Sequence, residues 1–181
     1  GKGSPYEGGY RVPLIFRWPG SIPPGTETSE LASSIDFFPT FQALSGQGSI
    51  PSSEIDGINL LPLLLDQQPL GRNALFWHYP HYHNGGASPH GIIRNGPWRL
   101  IEHFDGTRAE LYHLEDDIGE SVDLANAMPE KAAEMVNQLR QWRSTVGAQM
   151  PTLNPDYDPE KVHLGLFWHR YVEWRESGGE F

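Results

Sequence analysis

The first apolar run, Val12 to Trp18, does not alternate with polar residues and is closed by Pro19-Gly20. That pattern predicts a strand covered on both faces, inside a mixed sheet. After the turn Ser21-Ile22-Pro23-Pro24-Gly25, residues Thr26 to Ser34 read as a second extended piece. Asp36 precedes an apolar stretch with Pro39 in its first turn and Gly46 as a stop, which predicts a short helix from Phe37 to Ser45 with Asp36 as its N-cap. Leu60 to Leu65 is a compact apolar segment, and the polar break Asp66-Gln67-Gln68-Pro69 marks a subdomain boundary. Four short strands are expected beyond it, at Ala74 to His78, Gly91 to Arg94, Trp98 to His103 and Glu110 to Leu114, the last two joined by the turn Asp105-Gly106. From Pro129 to Val146 the period becomes helical: Ala132, Met135, Val136, Leu139, Trp142 and Val146 share one face. Early Glu130 and Glu134 with late Arg140 and Arg143 suit the helix dipole, and Gly147 stops the helix. This helix is expected to cover the small sheet. The acidic, Pro-rich stretch after Met150 reads as an extended strap, with an amphipathic piece at Phe167 to Trp174.

Composition narrows the classes of function. A chain of 181 residues with 38% hydrophobic residues can bury a real core. Its formal net charge of -10 disfavours attraction to nucleic acid or anionic lipid, so neither is an expected partner, and no apolar run is long enough for a membrane span. The absence of cysteine excludes disulfides, thiolate metal sites and a cysteine nucleophile. The opening Gly1-Lys2-Gly3-Ser4 carries neither an initiator Met nor a leader, and the expectation is that the chain begins inside a longer protein.

Four blocks, in order, carry a resemblance: Gly1-Lys2-Gly3-Ser4-Pro5-Tyr6-Glu7-Gly8-Gly9-Tyr10-Arg11-Val12-Pro13; Ser33-Ser34-Ile35-Asp36-Phe37-Phe38-Pro39-Thr40; Asp56-Gly57-Ile58-Asn59-Leu60-Leu61-Pro62-Leu63-Leu64; and Glu110-Leu111-Tyr112-His113-Leu114 through Glu120 to Asp123-Leu124-Ala125. Over residues 1 to 155 the chain resembles the C-terminal portion of formylglycine-dependent sulfatases, within the alkaline-phosphatase-like superfamily. The resemblance implies a fold passing from α/β to α+β, in which the tail of a large α/β domain is followed by a small antiparallel sheet packed by a C-terminal helix. Residues 1–68 would be the strand and helix portion of the main domain, 69–150 the sheet-and-helix subdomain, and 151–181 the tail.

In that family a formylglycine made from Cys or Ser is hydrated and attacks sulfur beside calcium or magnesium. This chain has no Cys, and none of its Ser residues stands in the required C/S-x-P/A-x-R motif. The resemblance places the metal carboxylates before Gly1. The chain is therefore expected to hold neither nucleophile nor metal, to be inactive alone, and to depend on the missing N-terminal catalytic portion and a sulfate-ester substrate as partners. By family habit the intact enzyme would be periplasmic, lysosomal or secreted.

Lys2 matches the family's sulfate-binding lysine, a catalytic position because the transferring sulfuryl group needs a fixed cation in a dry site. Glu7 and Arg11 are expected to form a structural pair around the flexible Gly8-Gly9. The segment Phe76-Trp77-His78-Tyr79-Pro80-His81-Tyr82-His83-Asn84 interleaves histidines with aromatics. Such a pattern can bind a metal, contact a substrate through ring stacking and imidazole hydrogen bonds, or simply pack. No acidic or sulfur ligand supports a metal, and strand alternation would send His81 and His83 to one face, making them the substrate-binding candidates. His90 and Arg94 are placed near the cleft, while Trp98, Arg99 and Glu102 read as ordinary strand residues. A sulfated sugar is the preferred substrate class, with an aryl sulfate next. Two alternatives stay open: a phosphodiesterase or phosphonate hydrolase of the same superfamily, and a standalone carbohydrate- or partner-binding module. Truncation from a larger sheet would leave apolar surface exposed on residues 1–68.

Overall fold

A computed structural model of the chain describes residues 3–46, 55–83, 87–106, 108–158, 160 and 176–178. The calls for Lys2 and for an amphipathic piece at Phe167 to Trp174 fall outside these residues. The chain groups into two compact units, Pro13–Leu75 and Gly1–Val12 with Phe76–Phe181.

In the second unit, Glu7–Tyr10 forms a single helical turn, α1. In the unit Pro13–Leu75, a 3-10 turn at Ser34–Asp36 leads into helix α2, Phe37–Leu44, and α3 spans Leu61–Asp66. Asp36 organises this unit, although not as the expected cap. Its carboxylate makes no capping bond to α2. It instead accepts from the Ser33 backbone N–H at 2.7 Å, from the Ile58 N–H at 2.9 Å and from both terminal nitrogens of Arg72 at 2.7 and 2.5 Å. Burial would raise its pKa, but those hydrogen bonds and the Arg72 charge outweigh burial and hold the carboxyl below its usual range. Thr40 Oγ1 donates to the Asp36 carbonyl at 2.6 Å and accepts from the Leu60 N–H at 2.9 Å, tying the segment before α3 to α2. Gly57 fits there because any Cβ would collide with the Ile35 carbonyl. α3 ends at Gln67, which takes the left-handed conformation at φ 55°.

The expected strand from Val12 to Trp18 does not form: this stretch is irregular, and Val12 and Ile15 are 75% and 87% exposed. Strand structure is a property of a pair, and among the described residues this run has no hydrogen-bonded neighbour strand. Thr26 to Ser33 is likewise outside any strand. Phe38 and Phe41 of α2 are 56% and 57% exposed, so the unit presents an apolar surface.

The other unit is built on a sheet in the order β1-β2-β3-β4, where β1 is Ala74–Tyr79, β2 His90–Asn95, β3 Trp98–His103 and β4 Ala109–His113. β2, β3 and β4 pair antiparallel, with Ile92 opposite Ile101, Ile93 opposite Leu100 and Leu100 opposite Leu111. Helix α4, Pro129–Thr145, packs on these three strands. Ala132, Met135 and Leu139 are buried as the period requires, while Val146 at the end of the predicted stripe is exposed. Arg143 is buried instead, its guanidinium 4.9 Å from the Phe104 ring and paired with Glu102 of β3 at 2.6 Å. Gly91 in β2 makes the approach possible, since a Cβ there would sit 3.1 to 3.3 Å from Arg143, Phe104 and Leu139. Strand alternation sends Ile92, Ile101 and Tyr112 into one buried cluster, against which Tyr6, Tyr10 and Trp77 pack. The N-terminal segment is therefore part of the sheet unit's core.

Candidate functional site: a cleft beside the N-terminal segment

The segment from Gly3 to Tyr10 is held by a buried arginine. Arg99, in the middle of β3, is fully buried. Its Nη1 donates to Glu7 Oε1 at 2.6 Å and its Nη2 to the Pro5 carbonyl at 2.5 Å. Its Nε lies 3.0 Å from Glu120 Oε1, an ion pair off the line of a hydrogen bond. The other Glu120 oxygen accepts from the Glu7 backbone N–H at 2.6 Å. Tyr10 and Trp77 present their rings to the guanidinium at 5.5 and 6.0 Å. A planar fork with five donors reaches two carboxylates and a carbonyl spread around its edges, where lysine offers its three donors at a single point. Glu120 is pushed above the usual carboxylate range, mainly by burial.

A second hub is Glu110 of β4. It accepts from Tyr112 Oη at 2.6 Å and Tyr6 Oη at 2.9 Å, lies 3.0 Å from His103 Nε2, and pairs with Arg108. Burial raises its pKa, yet the hydrogen bonds from Tyr112 and Tyr6, the Arg108 charge and His103 together carry it below its usual range. Tyr6 is thus fixed by a carboxylate 104 residues away.

Three expectations change. Glu7 pairs with Arg99, and Arg11, 65% exposed in its side chain and 3.6 Å from Glu7, is a secondary partner. Arg99 itself is a buried clamp, not an ordinary strand residue. Gly8 and Gly9 lie in the helical turn without positive φ; the left-handed glycine is Gly3, at φ 82°. A Cβ at Gly3 would fall on the His83 ring.

That approach opens onto a cleft of about 380 Å³, within the range of small-molecule sites. Gly3, Ser4, Gly9 and Tyr10 line it from the N-terminal segment, and Tyr79, His83 and His90 from the sheet side. The Tyr79 ring is bracketed by imidazoles, with centroids 5.6 Å from His81, 6.2 Å from His83 and 5.5 Å from His90. β1 ends at Tyr79, so His81 and His83 sit in a loop and do not share a strand face as expected. His83 lines the cleft, its backbone N–H donating to the Ala87 carbonyl at 2.8 Å, whereas His81 is exposed and outside the lining. His90 lines the cleft, while Arg94 turns to the Pro97 carbonyl at 3.4 Å. Tyr10 was not singled out from the sequence; its only signal was an aromatic residue directly after Gly8-Gly9.

The chemistry available in this cleft is hydrogen bonding and aromatic contact. Among the described residues no group of three or more His, Asp or Glu side chains converges on a point that could hold a metal. With no Cys, and no Ser in a C/S-x-P/A-x-R motif, the chain offers no precursor for the formylglycine that the resemblance implies for the intact enzyme.

Comparison with known proteins agrees with the sequence blocks. The family described as N-sulphoglucosamine sulphohydrolase, C-terminal, matches residues 2–146. A sulfatase from Formosa agariphila is 35% identical over 157 residues, covering 78% of this chain and 28% of that protein. Arylsulfatase A from Homo sapiens is 35% identical over 164 residues, covering 78% of this chain and 31% of its own. Among solved structures, BT4656 in complex with its substrate D-glucosamine-2-N,6-O-disulfate superposes with a TM-score of 0.62 at 27% identity, over 71% of this chain and 27% of that one. The chain thus spans less than a third of the length of these relatives. With a match running from the lysine segment to the end of α4, the chain belongs to the N-sulphoglucosamine sulphohydrolase C-terminal family.

Proposed function

We propose that this chain is the C-terminal part of a sulfatase that hydrolyses sulfate esters, and that a sulfated sugar is its substrate class. The observation that carries the reading is the cleft beginning at Gly3 and Ser4, next in sequence to Lys2 and walled by Tyr79, His83 and His90. In this reading Lys2 supplies a fixed cation to the sulfuryl oxygens. His83 bonds hydroxyl or sulfate oxygens, and His81 stands at the rim. Aromatic walls with imidazole donors and acceptors suit a polar ring better than a plain aryl group. Formylglycine and calcium or magnesium belong to the preceding portion of the polypeptide, which is also this chain's obligate partner.

The residues of this chain would then bind, orient and exclude water, while the attack on sulfur is made elsewhere. Fixed donors in a water-poor site act most strongly on the charge that develops in the transition state, and losing one typically costs about 3 to 4 kcal/mol, or 10²–10³ in kcat. Steady-state hydrolysis of a chromogenic aryl sulfate tests the reading, with this chain assayed beside the intact parent polypeptide and calcium or magnesium added. Activity is expected in the parent alone, with Lys2→Ala lowering kcat by about 10²–10³. Turnover by the 181-residue chain alone would overturn the proposal, as would a parent that cleaves phosphate or phosphonate esters and not sulfate esters.

A further inference from the structure

Tyr10 and His90 form a pair whose hydrogen-bond direction is fixed by what lies behind it. His90 Nδ1 is 2.7 Å from the Ser88 carbonyl, which can only accept, so the ring proton sits on Nδ1. His90 is 2% exposed, and burial, with the nearby His103, Arg99 and His78, pushes its pKa down despite the Ser88 hydrogen bond. The ring is therefore neutral, and its Nε2 is an acceptor. Tyr10 Oη lies 2.9 Å from that Nε2 and must donate its one hydrogen to it. Burial raises the Tyr10 pKa, which keeps the phenol protonated for this role. Its hydrogen is spent inward, and the oxygen retains only acceptor capacity.

Both members of the pair line the cleft. Resting on the reading of this cleft as the substrate site, we propose that Tyr10 is a specificity residue: held by His90, its phenol oxygen accepts a hydrogen bond from a hydroxyl or amine on the substrate's sugar ring. A sulfate oxygen brought to the same point has no hydrogen to give, and an aryl sulfate offers no ring donor. The pair thereby distinguishes a sugar sulfate from an aryl sulfate without touching the group that reacts. Ser88 and His90 act through Tyr10 and are positioning groups.

The test uses the full-length polypeptide, with 4-nitrophenyl sulfate as reporter and D-glucosamine 6-sulfate as competing ligand. Tyr10→Phe keeps the ring and removes only the oxygen. The inhibition constant of D-glucosamine 6-sulfate is expected to rise about tenfold relative to any change in KM for 4-nitrophenyl sulfate, the equivalent of about 1.4 kcal/mol. If both constants move by the same factor, Tyr10 serves structure alone and the inference is overturned; it is equally overturned if neither moves. A parent with no sulfate-ester hydrolysis defeats the sulfatase reading but leaves Tyr10 testable by saturation-transfer NMR with D-glucosamine as probe. Loss of the transfer signal in Tyr10→Phe then supports the inference, and an undiminished signal refutes it.

Discussion

Arg99 shows what a single buried charge does in this protein and how little of it is visible in sequence. In a strand reading Trp98-Arg99-Leu100-Ile101, the arginine interrupts an apolar run without announcing a partner. Its partners, Glu7 and Glu120, are 92 and 21 residues away, and only the fold brings them together. The family block from Lys2 to Pro13 was legible because it is contiguous, which the span of the family match bears out at the level of the family; Tyr10 and His90 were not read as a pair because their hydrogen bond spans 80 residues. The clamp makes a quantitative prediction. Arg99→Met leaves two carboxylates in a buried site without their cation and should destabilise the chain by about 3–5 kcal/mol. Urea unfolding of the two proteins measures this, and a midpoint unchanged by the substitution would remove Arg99 from its role as brace. Arg99→Lys should recover part of the loss only, because an ammonium cannot span Glu7, Glu120 and the Pro5 carbonyl together.

At the scale of elements, the local patterns succeeded where an element's stability is decided within its own neighbourhood. Strands β1 to β4 and helix α4 fall within a residue or two of the positions expected from alternation and helical period. The failure at Val12 to Trp18 has a different cause. An unbroken apolar run states that its residues prefer to be covered, but it cannot name the neighbour that would cover them. Asp36 illustrates a third case: its position before α2 was right, yet its carboxylate found stronger partners in Arg72 and two backbone N–H groups than the helix terminus offers. The packing of α4 on the sheet can be tested at Leu139, which is fully buried against the space left by Gly91. Leu139→Ala should cost about 2–5 kcal/mol in thermal or chemical denaturation. A loss below a few tenths of a kcal/mol would mean that α4 is not seated as described.

For the molecule as a whole, the two units differ in how well they cover their apolar residues. The sheet unit buries Ile92, Ile93, Leu100, Ile101, Leu111, Met135 and Leu139 nearly completely. In Pro13–Leu75, by contrast, Leu14, Ile15, Trp18, Phe38, Phe41 and Leu44 are exposed, and apolar side chains left bare favour association. The 181-residue chain alone is therefore expected to associate, with sedimentation velocity showing species heavier than the 20.3 kDa monomer. A single monodisperse monomer would show that this surface is tolerated by itself. The formal net charge of -10 opposes association most at low salt, so the heavier species should grow as salt is added.

The Arg99 clamp also imposes an order of events on biosynthesis. A ribosome delivers Glu7 well before Arg99, 92 residues later, and the whole unit Pro13–Leu75 emerges in between. Until β3 has left the exit tunnel, the segment that follows Lys2 has no brace. Closing so long a loop is slow compared with forming a local helix. The Glu7 segment thus takes its braced shape only after β3 has formed, and a nascent polypeptide halted before β3 would carry that segment without the arginine that holds it.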